Sequence, residues 1–213
     1  MGATHTVRDG RSVRAEKLRE KRRRQILGHA RKLFAERGYH LVSVGDIIER
    51  AGVARGTFYL HFHSKRTIFD ELIDGLFAQL NQRVRRIDVG AGASPPVDQM
   101  RENVVRVVEL LLEERDLTRI LLRETGADEE FDRKMNEFYS RLLARIEGGI
   151  RLGQTMNLVR SCEPHITAAC VLGSVKEVMY RYAVAGEPAP QPQVLAGEIL
   201  GYVVSALFRP LQK

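Results

Sequence analysis

Apolar positions recur every three or four residues along almost the whole chain, and alternation in twos is absent. That periodicity predicts helices without strands, an all-α fold. The first apolar stripe is Ile26, Ala30, Leu33 and Phe34, which places a helix from near Glu16 to Gly38, where a glycine can stop it. Ser43 then stands as an N-cap with Asp46 three residues on, opening a short helix whose buried set is Val44, Ile47, Ile48 and Ala51. Ala51-Gly52-Val53 reads as a tight turn in which Gly52 takes positive φ. A third helix follows over about 54–62. Ser64 caps a fourth, which Ile68, Phe69, Leu72, Leu76 and Leu80 carry toward Ile87.

Gly90 to Pro96 is a linker by composition. Beyond it the pattern predicts helices at about 98–114, 116–125, 128–152, 164–184 and 193–209, with Pro164 at a first helical position. The last helix carries Val194, Leu195, Ile199, Leu200, Tyr202, Val203, Val204, Leu207 and Phe208, which fall on more than one face. A helix apolar all round must be buried all round. In a chain of this size one face would pack on its own body and the other on a second copy. The preceding helix offers Ala168, Ala169, Cys170, Gly173 and Ser174, small enough for close helix approach, so these two helices are the expected two-fold interface.

The segment from Ser43 to Lys65, SVGDIIERAGVARGTFYLHFHSK, has the spacing of a helix-turn-helix unit. In its second helix Val53, Phe58 and Phe62 would face the core, leaving Arg55, Gly56, Thr57, Tyr59, Leu60 and His61 outside.

Charge sharpens the picture. Residues 1–66 hold 16 Lys and Arg against 6 Asp and Glu, whereas residues 67–213 hold 18 against 21. A basic module on a mildly acidic body points to a polyanion at one end. Of the 213 residues 44% are hydrophobic and 29% charged, enough for a core and a solvated surface. Cys162 and Cys170 make no C-x-x-C pair and read as reduced thiols in helix packing, expected in a cytoplasmic protein. The Arg-rich N-terminus has no secretory pattern, and the apolar run from Val203 to Phe208 is far short of a membrane span. No cofactor and no metal site is expected. His61 and His63 are two apart and point to different sides of a helix. Motifs for acyl-transfer, nucleotide-binding and zinc-protease chemistry are absent, and Cys162 with His165 is the nearest approach to a nucleophile and base. An enzyme is therefore not expected.

Ala51-Gly52-Val53, Gly56-Thr57, Tyr59, Phe62 and Ser64-Lys65, with Leu33-Phe34, Gly38-Tyr39 and Asp46-Ile47 before them, resemble the DNA-binding domain of the tetracycline-repressor (TetR) family over about residues 22–72. Residues 1–15, rich in Gly, Thr, Ser, Asp and Arg with little to bury, read as a disordered basic tail. The resemblance implies an N-terminal helix-turn-helix three-helix domain at 16–66 and a larger C-terminal helical ligand-binding and dimerisation domain at 67–213. It implies a homodimer on a pseudo-palindromic operator in double-stranded DNA, released by a small-molecule effector, with no membrane partner and a location in the cytoplasm, on the nucleoid when bound to DNA. Arg55 would read guanine O6 and N7, Gly56 would let the backbone approach, and Tyr59 would meet a thymine methyl or a phosphate. Ser43, Thr57, His61 and Lys65 would hold phosphates, and the run from Lys17 to Arg24 would reach adjacent backbone or a minor groove. The ordinary alternatives are a solvated Arg55, a Tyr59 packed on its own domain, and a basic run that is only an exposed helix face. Ala54 departs from the family's usual capping serine. Gly45 gives no side chain at a position that often touches DNA, Ile48 replaces a usual alanine, and His61 a frequent tyrosine.

Arg119, Arg123, Glu124, Tyr139, His165, Lys176 and Tyr180 are the polar side chains on otherwise apolar helices that would line an effector pocket, and ordinary surface or ion-pair roles compete with that reading. A non-specific architectural DNA binder and a transcriptional activator are the rival functions.

Overall fold

The computed structural model describes residues 10–123 and 129–207. Among them are nine helices and no strand: α1 (Gly10–Arg37), α2 (Val44–Ala51), α3 (Arg55–Tyr59), α4 (Lys65–Arg83), α5 (Pro96–Glu113), α6 (Arg115–Leu122), α7 (Glu129–Thr155), α8 (Pro164–Ala183) and α9 (Pro192–Leu207). Expectations that fall on residues 1–9, Glu124 and Phe208 lie outside the described residues.

Two boundaries differ from the pattern. The first helix begins at Gly10 rather than near Glu16, so residues 10–15 are not tail. Extending a helix that is already nucleated adds a hydrogen bond per residue without the initiation cost, even where no core is touched. The fourth helix ends at Arg83, short of Ile87. Its continuation is claimed by α5: the Asn103 amide donates to the Arg85 carbonyl and accepts from the Arg85 N–H, both at 2.9 Å. Gln99 takes the Asp88 N–H in the same way, at 2.7 Å. These tertiary bonds replace the helical ones.

The chain divides between Leu72 and Ile73, within α4, not at 66/67. The first turns of α4 belong to the N-terminal unit because Ile68 and Phe69 are fully buried there and Phe69 lies 4.8 Å, ring to ring, from Tyr39. Around them Ile26, Ala30, Phe34, Ile47, Phe58 and Phe62 close the core. Gly38, at φ +90°, ends α1 with its N–H on the Phe34 carbonyl. Gly52, at φ +61°, turns α2 into α3 by returning its N–H to α2. The handedness of L-residues makes both conformations costly for a side chain.

In the C-terminal unit α5 packs along α9 and α7 along α8. Val108, Met179, Leu195, Ala196 and Ile199 form one core, and Ile150, Val159, Ala168, Val203 and Leu207 a second. Val203 therefore faces its own chain. The face of α9 left uncovered includes Val194, Gly197, Glu198, Gly201 and Tyr202, and that of α8 includes Ile166, Ala169, Cys170, Gly173, Glu177 and Tyr180. Cys170 is exposed rather than packed, while Cys162 is half-buried. No helix among the described residues is long and apolar enough to cross a membrane.

Candidate nucleic-acid interface

α3 is only five residues long and has no side-chain cap at Ala54. It holds its place because Phe58 and, just beyond it, Phe62 are buried almost completely. That anchoring turns Arg55, Gly56, Tyr59 and Leu60 outward, all exposed, with Thr57 and His61 half-buried at the margins. The Arg55 guanidinium lies 5.9 Å from the centre of the Tyr59 ring, one helical turn on. A Cβ built at Gly56 would meet nothing within 4 Å, so the chain's own packing does not require glycine there.

α2 is fixed against α1 by polar clamps. Ser43 forms the predicted capping box: its hydroxyl donates to the Asp46 carboxylate and accepts from the Asp46 N–H at 3.1 Å, while the Ser43 N–H donates to the same carboxylate at 2.7 Å. Arg37 at the end of α1 donates to the other carboxylate oxygen at 2.8 Å. With the Ser43 hydroxyl and Arg37 both stabilising its anion, the Asp46 carboxyl is held well below the usual carboxylate range. Arg50 and Glu36 make a two-pronged pair at 3.1 Å, and the Gln25 amide donates to the Ala51 carbonyl at 2.8 Å. The motif spacing signalled the cap. It gave no sign of Gln25, Glu36 or Arg37, whose partners come from another helix or loop.

Two of the proposed phosphate ligands are engaged inside the protein. The Lys65 ammonium donates to the carbonyls of Tyr39 and Val42 at 3.1 Å and of His40 at 3.5 Å, and lies 4.4 Å from the Tyr39 ring centre. It latches the loop between α1 and α2, with its three donors directed at three carbonyls of the domain. The Ser43 hydroxyl likewise serves its helix first. Ser64 caps α4 as expected, accepting from the Thr67 N–H at 3.3 Å. Burial lowers the His61 pKa from its ordinary value, with Arg19 and Arg23 adding to the effect.

The polar side chains proposed for an effector pocket are only partly brought together. The Tyr139 hydroxyl donates to the Leu121 carbonyl at 2.8 Å, and burial pushes its pKa up to about 12. Lys176 lies 4.0 Å from the centre of the same ring. Arg119, half-buried, donates to the Ala183 carbonyl at 3.1 Å, and Arg123 caps the end of α6. Tyr180 is exposed, a turn beyond Lys176. His165 is at the far end of α8 from Lys176 and Tyr180, exposed and 3.4 Å from Glu147. Two open clefts of about 260 and 370 Å³ are lined by other residues: residues 88–90 and 93–96 with Met156 and Leu158 in one, Glu109, Leu112, Glu113 and Pro192 in the other.

Residues 26–72 match the family model of bacterial regulatory proteins of the tetR family, and residues 93–206 match that of the tetracyclin repressor-like C-terminal domain. The HTH-type transcriptional repressor Rv1474c of Mycobacterium tuberculosis is 29% identical over 194 residues, covering 88% of this chain and 94% of that one. Among solved structures, NalD, the secondary repressor of the MexAB-OprM multidrug efflux pump in Pseudomonas aeruginosa, superposes with a TM-score of 0.72 at 23% identity, over 91% of this chain and 98% of that one. SmeT in complex with triclosan superposes with a TM-score of 0.71 at 21% identity, over 90% and 93%. The C-terminal match by itself takes in more than half of the chain, and with the match over residues 26–72 it shows that the chain belongs to the TetR family of helix-turn-helix transcriptional regulators.

Proposed function

We propose that the protein is a homodimeric repressor that reads a pseudo-palindromic operator through α3 and leaves it when a small molecule binds the C-terminal unit. The observation that carries the reading is the split of α3 into a buried aromatic anchor, Phe58 and Phe62, and an outer face of Arg55, Gly56 and Tyr59. A helix so held enters the major groove with its backbone close at Gly56. The Arg55 fork then reaches guanine O6 and N7, and Tyr59 meets a thymine methyl or a phosphate. Thr57 and His61 flank them toward the phosphates, and the N–H groups at the start of α4 offer the anion site that the Lys65 ammonium does not.

The two-fold interface is the uncovered face of α8 and α9. Gly173, Gly197 and Gly201 have open space where a side chain would stand, which suits close packing against a second copy. Tyr139 and Lys176, brought together between α6, α7 and α8, mark where an effector with a polar or anionic end would be held; SmeT's triclosan complex is a precedent for small-molecule binding on this fold. By linkage, operator and effector disfavour each other equally. Such a protein works in the cytoplasm, on the nucleoid while bound.

The test is selection of duplexes from a random library by the purified protein at moderate salt. An enriched two-fold sequence supports the reading. Tight, salt-sensitive binding without enrichment would instead make the protein an architectural DNA binder.

A further inference from the structure

The family match begins at residue 26, yet α1 begins at Gly10. Residues 10–25 are thus a helical extension about 24 Å long by the rise of an α-helix. It carries eight Arg and Lys against Glu16 and Glu20. Within it Arg14, Lys17, Arg19 and Lys21 are exposed and have no carboxylate partner among the described residues.

The register of these charges matters more than their number. The stripe of α1 that is buried at Ile26, Ala30 and Leu33 passes, three and seven residues before Ile26, through Arg23 and Arg19. Where the helix leaves the domain, the face that had been apolar becomes arginine. Arg23 is engaged within the domain, paired with Glu71 and 4.9 Å from the centre of the Phe62 ring. Arg19, a turn further out, has no such partner, and it lies close enough to His61 to act on its charge. The extension therefore runs beside the end of the segment that carries α3, and its cationic side is continuous with the proposed reading face.

We infer that residues 10–22 of α1 form a second DNA-contact element that lies along the sugar-phosphate backbone flanking each half-site, with Arg14, Lys17 and Arg19 on phosphates. The inference rests on the DNA-reading role of α3 and adds to it a sequence-independent clamp that lengthens the footprint. Phosphates are the fitting partner because the extension presents a row of exposed cations along a helix, and cations in such a row meet backbone oxygens whatever the base sequence.

The experiment compares the wild-type protein with an R14Q/K17Q/R19Q triple variant on the selected operator. Glutamine keeps helix propensity and removes the charge. A second variant, R86Q/R101Q/R133Q, removes equal charge from exposed positions of the C-terminal unit. Every phosphate that goes without its cation lowers the slope of log K against log salt by about 0.9, so six per dimer lower it by roughly 5. The expected result is that fall, at least about a tenfold loss of affinity near 0.1 M salt whatever the flanking sequence, and a footprint shortened at both ends, with the thermal midpoint unchanged. The C-terminal variant keeps the wild-type slope and footprint. A first variant with wild-type slope and footprint overturns the clamp and leaves the reading of α3 intact, as does an equal loss in both variants. If the wild-type protein selects no sequence at all, the reading of α3 fails first.

Discussion

Lys65→Met separates a latch from a phosphate ligand. The substitution keeps the aliphatic stem and removes the ammonium that bonds the carbonyls of Tyr39, His40 and Val42 and faces the Tyr39 ring. Charge-assisted hydrogen bonds contribute about 1.5–3 kcal/mol each when buried. Here the site is half-buried, so water partly replaces the donor, and removal of the cation–π interaction adds about 0.5–1 kcal/mol. A net loss of about 2 kcal/mol follows, which lowers the melting temperature of a chain this long by roughly 4–8 °C. Thermal unfolding followed by circular dichroism reads that shift. Operator binding of the still-folded variant, followed by fluorescence anisotropy across a salt series, reads the alternative. A latch leaves the salt slope unchanged, whereas two phosphate ligands per dimer would lower it by about 1.8. A melting temperature within a degree of wild type together with a flattened slope would refute the latch and restore Lys65 to the phosphates.

Arg55→Ala relaxes preference at one base pair in each half-site, at about 1–3 kcal/mol per base pair, read as affinities for operators substituted at each position; an unchanged preference rejects the base contact. Asp46→Asn destabilises the protein at neutral pH, and the gap from wild type closes with acid. The folded Asp46 carboxyl titrates below the unfolded value of about 4, so its contribution is complete above that pH and is lost as pH falls below it. Urea unfolding at pH 6 and pH 3 checks this, and a gap that stays constant counts against the capping box. Tyr202→Glu places a charge on the uncovered face of α9 and yields monomers in sedimentation analysis, while a dimer of wild-type stability would move the interface elsewhere.

Periodicity alone determined the all-helical fold and most helix positions, because each apolar stripe must find a core and Gly38, Ser43, Gly52, Ser64 and Pro164 act locally as stops and starts. It also separated Phe58 and Phe62 from Arg55 and Tyr59, since three or four residues of spacing fix a helix face whatever the surroundings. What spacing cannot carry is the choice among partners distant in the chain. Lys65 reads as a phosphate ligand until the loop carbonyls fold against it, and Val203 reads as an interface residue until Ile150 and Ala168 cover it. α4 stops at Arg83 only because Asn103 and Gln99 arrive from α5. The tail becomes helix at Gly10 because elongation needs no core. For Lys65, Val203 and the end of α4 the deciding free energy is a tertiary hydrogen bond or a buried contact whose two ends are set by the fold and not by neighbouring residues.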